Sequence, residues 1–214
     1  ARAVEVQRVA KSLGPQLGTL VSDISNGFEE RTFVPSGLTY VTVSEVSSGR
    51  LELGTAPKIS ASTEVPAKAR IDEFCALVVR TGSIGTAVKV DPRDRGAVIS
   101  SHLIRLEFSA EATAAATAAF LNSEPGKLLQ EKISYGAVQP QIGQDELLAL
   151  PIPTYVIHAK EEILLLMTSQ ESAARASKSL TLAAKLTVEA LIEGRITEGN
   201  LVTVQQALTA GDDR

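Results

Sequence analysis

The 214-residue chain is 44% hydrophobic with a net charge of −4, which is enough apolar content to bury a sizeable core. No stretch approaches the roughly 18 consecutive apolar residues of a membrane span, and the amino end ARAVEVQRVAKSLG lacks the apolar centre of a signal peptide. A soluble cytoplasmic protein without a membrane partner is therefore expected, and the single cysteine, Cys75, excludes an internal disulfide. Set in FCALVV, Cys75 reads as a small buried hydrophobe rather than a nucleophile.

Residues 17–108 read mainly as strands. Residues 38–43 alternate apolar and polar side chains, 51–53 form a short half-buried strand, and 76–79 are a continuous apolar run suited to an interior strand. Gly82 and Gly85 punctuate RTGSIGTAVKV, which predicts a tight connection between a strand ending at Arg80 and one over 86–90. DPRDRG (91–96) is a polar loop with Pro92 set for a turn, and 98–108 returns as one further strand.

The period then changes. Residues 110–121 are alanine-rich and helical by propensity. Ser123 caps a second helix whose first turn holds Glu124 and Pro125, and Gly126 through Ile133 continue it. Tyr135 and Gly136 end it, Gly136 supplying the positive φ that a helix stop or turn demands, and Pro140 cannot donate a ladder hydrogen bond. SYGAVQPQIGQ is thus expected to be an ordered, amide-rich surface loop, followed by a short helix over 144–149 and an abrupt stop at PIP. Strands first and helices afterwards indicate an α+β class with a mixed sheet and short helices.

From 156 to 192 there is no Pro or Gly. Ala173, Ala176, Leu180, Ala183, Thr187 and Ala190 recur at alternating spacings of three and four, the seam of a long coiled-coil-type helix. Such a helix of about 37 residues would span roughly 55 Å. Small seam residues imply close pairing, either with another helix or back on the chain's own domain. Gly194 ends the pattern, and a short extra helix (201–208) with an acidic tail follows.

No catalytic constellation emerges. His102 and His158 have no Cys or carboxylate at metal-ligand spacing, so no metal is implied. TGSIG lacks the spacing of phosphate-cradling loops and leads into a strand, which makes it a hairpin turn. A hydrolase or transferase using His102 with Ser100 or Ser101 would need a pocket and an acidic orienter. No cofactor is called for. The basic residues Lys58, Lys68, Arg70, Arg80, Lys89, Arg93, Arg95 and Arg105 fall in one part of the chain, so a local positive face on a mildly acidic body is expected.

Several motifs in order carry a family resemblance: LGTLVSDISNGFEERTF, LVVRTGSIGTAVKV, AVISSHLIRLEF, then Leu-Asn-Ser, Tyr-Gly-Ala-Val-Gln-Pro-Gln-Ile and Leu-Pro-Ile-Pro. Together they resemble the target-recognition domain of type I restriction-modification specificity subunits. The resemblance covers nearly the whole chain, from about residue 17 to 196. Methyl-donor motifs, the Asn/Asp-Pro-Pro-Tyr type of adenine methyltransferase motif and nuclease patterns are absent. What the resemblance implies is therefore a non-enzymatic component that recognises double-stranded DNA and directs adenine methyltransferase and restriction subunits to a target site. Its parts would be a recognition domain (1–153), a long spacer and dimerisation helix (154–194) and a carboxyl-terminal helix and tail (195–214).

The resemblance points to Arg80, Ser83, Ser101, His102, Tyr135, Gln139 and Gln141 as candidates at the DNA, since Arg pairs with guanine and Gln with adenine edges. Less patterned loops within 47–70, including Arg50, are further candidates for base reading. Lys58, Lys68, Arg93 and Arg95 suit phosphate contacts. For each, a role in shaping the fold or an ordinary solvated surface is the competing explanation. The family pattern has two recognition domains and two spacers per chain, whereas this sequence has one of each. Either a half-subunit forms a homodimer through its long helix, or the chain is the specificity region of a fused methyltransferase, which the non-Met start supports. The rival reading is a protein-interaction module without DNA binding, which the acidic net charge keeps open.

Overall fold

Every residue of the apolar run Cys75–Val79 is buried, because each face of that strand meets a different core. The computed structural model describes residues 14–136 and 139–211, so the expected order of the amide-rich loop at Ala137 and Val138 lies outside the described residues. The strands among them are β1 (Val21–Asn26), β2 (Leu38–Val41), β3 (Lys58–Ile59), β4 (Cys75–Val79), β5 (Ala87–Lys89), β6 (Val98–Ile99) and β7 (Leu103–Phe108). Four build an antiparallel sheet in the order β1-β7-β4-β5. The other three form a small mixed sheet, β3-β2-β6, in which β2 and β6 run parallel.

Alternation along the strands sorts side chains between the layers. Ala76 and Val78 of β4, with Ile104, Leu106 and Phe108 of β7, face a helical layer. Cys75, Leu77 and Val79 face Val41 and Ile99 of the smaller sheet. This double burial is why the run reads as continuously apolar.

The helical layer holds α1 (Glu111–Asn122), α2 (Glu124–Ile133), α3 (Gln144–Leu148) and α4 (Thr154–His158). Ala114, Ala115, Ala116 and Ala118 of α1 are completely buried. Their small side chains let the helix lie close to the sheet, with Phe120 and Leu121 filling the remaining space. Lys89 reaches Glu111 in the first turn of α1 at 3.0 Å.

The chain divides into two compact units, one ending at Leu165 and one beginning at Leu166. Helix α5 (Lys160–Ile192) has 33 residues, about 50 Å by its rise, and α6 (Glu198–Gly211) follows it. Gly194, at φ +69°, stops α5, with the Arg195 N–H donating to the Ala190 carbonyl across the last turn.

Five expectations need correction. The strand expected over 98–108 is two strands in different sheets, separated by a turn at Ser101 and His102. Residues 51–53 form no strand; their one ladder-like bond runs from the Glu52 N–H to the Glu45 carbonyl. The long helix is interrupted at Ala159 without a Pro or Gly, and Val156 of α4, just before the break, is buried in the helical core. The carboxyl-terminal helix is longer than 201–208. Finally, Lys89 and Arg105 do not belong to a positive face: each is only 5% exposed and paired internally.

Candidate functional site

One end of the four-stranded sheet gathers four segments. Beyond β4, the Arg80 N–H donates to the His102 carbonyl at 2.9 Å, and its guanidinium reaches the Ser101 carbonyl at 3.5 Å. The Ser101 N–H in turn donates to the Phe28 carbonyl at 3.0 Å, bringing in the chain that leaves β1. Residues 80–86 turn tightly on Gly82 (φ +84°) and Gly85 (φ +91°), conformations that a side chain would strain.

The amide-rich loop docks on that turn. Tyr135 and Gln141 exchange both backbone bonds, at 2.9 and 2.8 Å, closing a loop over 136–140. Gly136 sits at φ +99° there, and a Cβ on it would come within 2.5 Å of the Gln139 carbonyl oxygen. The Ile142 N–H donates to the Arg80 carbonyl, and the Gly82 N–H to the Pro140 carbonyl, so the loop prolongs the sheet past β4. Ser83, His102, Tyr135 and Gln139 are exposed, while Arg80, Ser101 and Gln141 are half-buried.

The Leu-Asn-Ser motif fixes the neighbouring wall. Leu121 is buried, Ser123 caps α2 by accepting from the Gly126 N–H, and Asn122 does something the sequence did not disclose. Its side-chain oxygen accepts from the Ala87 N–H at 2.9 Å, and its amide nitrogen donates to the Ala87 carbonyl at 2.5 Å. The amide thereby completes the free edge of β5. At Gly126 a Cβ would meet the Phe120 carbonyl oxygen at 2.0 Å, so α2 starts in backbone contact with the end of α1. Gln130, wholly buried, reinforces this by donating to the Leu121 carbonyl at 2.8 Å. Lys127, also unremarked in the sequence, is exposed, and its stem lies over the turn: a Cβ on Gly85 would stand 3.4 Å from its Cγ.

The other candidates lie elsewhere. Residues 90–97 pack against the start of β4, where the Val90 N–H donates to the Cys75 carbonyl and the Gly96 N–H to Ile71. Arg93 and Arg95 are therefore at the opposite end of β4 from Arg80, a separation of about 17 Å for a five-residue strand. Here cations are matched by carboxylates. Asp91 caps the 3-10 turn Pro92–Asp94 and grips the Arg93 guanidinium at 2.9 and 2.6 Å. Arg95 binds Asp72 at 3.0 Å and Glu73 at 2.9 Å, and Lys68 meets Asp23 at 3.3 Å. Lys58 instead donates to the Thr39 hydroxyl at 2.6 Å. A cleft of about 310 Å³ lies beside Arg93 and Arg95, and its lining includes Asp94, Thr39 and the apolar Leu38 and Leu53. Arg105, buried beneath a second cleft, is held by Asp23, Glu107 and Ser25. Arg50 is half-exposed in the irregular segment after β2.

Nothing in either group forms a nucleophile–base pair. His102 carries its carbonyl, not its ring, into the local network, and no cluster of three metal-binding side chains occurs among the described residues. On α5, Ala173, Ala176, Leu180 and Ala183 are exposed, Thr187 is half-buried and Ala190 is buried. Leu165, Leu166, Leu182, Leu186 and Val188 are exposed as well.

No protein-family profile matches the chain, and no curated protein matches it. Among solved structures it is similar to the S subunit of a type I restriction-modification system from M. genitalium, at 14% identity and a TM-score of 0.57. That match covers 83% of this chain and 44% of the other. A chain from a type I restriction-modification complex is similar at 13% identity and TM-score 0.50, over 88% of this chain and 48% of that one. The HsdS subunit of Thermoanaerobacter tengcongensis gives 14% identity and TM-score 0.49, over 83% and 45%. The likeness is one of fold, and this chain spans less than half the length of these structures.

Proposed function

We propose that the chain is the DNA sequence-recognition component of a restriction-modification system, without catalytic activity of its own. One observation carries the reading. On a fold similar to S subunits, Arg80, Ser83, Ser101, His102, Tyr135, Gln139 and Gln141, remote in sequence, share one sheet end. A guanidinium fork, two carboxamides and several hydroxyls on the turns and loop at one end of a sheet are the donors and acceptors that base edges in a major groove require. Each bidentate pair would supply about 1–3 kcal/mol of discrimination.

Methyltransferase subunits, or a fused methyltransferase domain, and a restriction subunit are the partners in this reading, with α5 as spacer and pairing element. The exposed seam supports that role, and a homodimer through it would present two recognition units to a split palindromic site. The paired cations at the far end favour a second reading, a protein-interaction module that never meets DNA.

The test is binding of the assembled complex to variants of its target duplex. Arg80→Ala and Gln139→Ala are expected to weaken binding to the target while sparing other sequences, so that discrimination falls. Uniform weakening on all sequences would refute direct readout by these residues. No binding to any duplex at low salt would favour the interaction module.

A further inference from the structure

The sheet end that gathers the candidates differs electrostatically from the opposite end. Arg93, Arg95 and Lys68 each have a carboxylate within 3.3 Å. Lys127 has no such partner among the described residues, and the Arg80 guanidinium meets only a carbonyl oxygen. A cation with no carboxylate in contact is freer to engage an anion, although Glu124 and Glu131 lie one turn before and after Lys127 on α2.

Lys127 is also held in place. The close contact of Gly126 with the Phe120 carbonyl fixes the first turn of α2, and the stem of Lys127 rests on Gly85 between α2 and the turn bearing Ser83. A lysine whose stem already lies along the surface loses less rotamer freedom when its ammonium is engaged. Its charge rides beside the platform, while the hydrogen-bonding groups suited to bases sit on Arg80, Gln139 and Gln141. A compact ammonium is a point charge suited to a phosphate rather than to the forked geometry of a base edge.

We propose that Lys127 is a backbone-phosphate contact that sets the register of the platform formed by Arg80, Gln139 and Gln141 on duplex DNA. The proposal rests on the recognition role above and assigns the DNA-facing end. Neutralising one phosphate contributes about 0.9 to the slope of log affinity against log salt.

The test uses the 214-residue chain and a labelled 30-base-pair duplex of mixed sequence, with fluorescence anisotropy read across a salt series. Lys127→Ala is expected to lower affinity about tenfold at 50 mM salt, equally on every sequence, and to reduce the slope by about 1. Lys127→Arg keeps the charge and should restore most of the slope, whereas Arg93→Ala should leave it unchanged. A wild-type slope in Lys127→Ala, with circular dichroism intact, overturns the phosphate contact while leaving the recognition role standing. A slope lost in Arg93→Ala instead overturns the assignment of the end. Absence of binding by the wild-type chain, alone and with methyltransferase partners, overturns the recognition role and with it the proposal.

Discussion

Replacing Asn122 with Ala removes both bonds that tie the end of α1 to the free edge of β5. Ala87 is wholly buried, so its N–H and C=O would each lose a partner in a place that water reaches poorly. A stranded buried polar group costs about 1–3 kcal/mol, and the half-exposed position of Asn122 lets some water in, which puts the pair at about 2–4 kcal/mol. With a urea slope of about 2 kcal/mol per molar, the unfolding midpoint should fall by about 1–2 M. Asn122→Asp keeps the acceptor for the Ala87 N–H but turns an oxygen toward the Ala87 carbonyl, so it should be no better than Ala. Far-UV circular dichroism in urea measures both. A loss under 0.5 kcal/mol in Asn122→Ala, or wild-type stability in Asn122→Asp, would refute the edge-clamp reasoning.

Burial raises the Tyr40 phenol above its usual pKa of 10, outweighing the Glu30 N–H bond that lowers it. The neutral phenol is the folded form, so its contribution is intact below pH 10 and lost as pH rises through the elevated value. Absorbance titration of wild type minus Tyr40→Phe should show a tyrosine ionising above pH 10, and one ionising at or below 10 contradicts the burial. Burial likewise raises the Cys75 thiol, so a disulfide reagent at pH 8 should react slowly with native protein and fast in urea. Rapid native reaction would rule out that packing. Leu180 is 71% exposed, so Leu180→Asp with Ala183→Asp should leave the thermal midpoint within about 2 °C while abolishing association by sedimentation. Unchanged assembly in the intact system would show that this seam pairs nothing.

The layered α+β fold was legible where pattern and propensity agreed. The apolar run 76–79 suited an interior strand, the alanine run a helix, and Ser123 caps α2 as its spacing indicated. The glycine punctuation of TGSIG also gave the turn. Tertiary facts were hidden. The local pattern does not separate the buried Lys89 and Arg105 from basic residues at the surface, because Glu111 and Asp23, which pair with them, are remote in sequence, and only Glu107, two residues from Arg105, is a local partner. The split of 98–108 into two sheets goes with the pairing of Ser100 with the distant Phe28, and no Pro or Gly marks the break at Ala159. At the candidate site, the sequence named the residues without the division between two ends of β4. It also passed over Asn122 and Lys127, whose roles depend on Ala87 and Gly85, each more than 30 positions away.

The most direct measurement places a photo-crosslinking benzoylphenylalanine at Gln139 in one protein and at Arg93 in another, each irradiated with labelled duplex DNA. If the sheet end carrying Arg80, Lys127 and the glutamines faces the duplex, position 139 crosslinks and position 93 does not. Crosslinking confined to position 93, or none at 139 under conditions where the DNA is bound, would contradict that orientation.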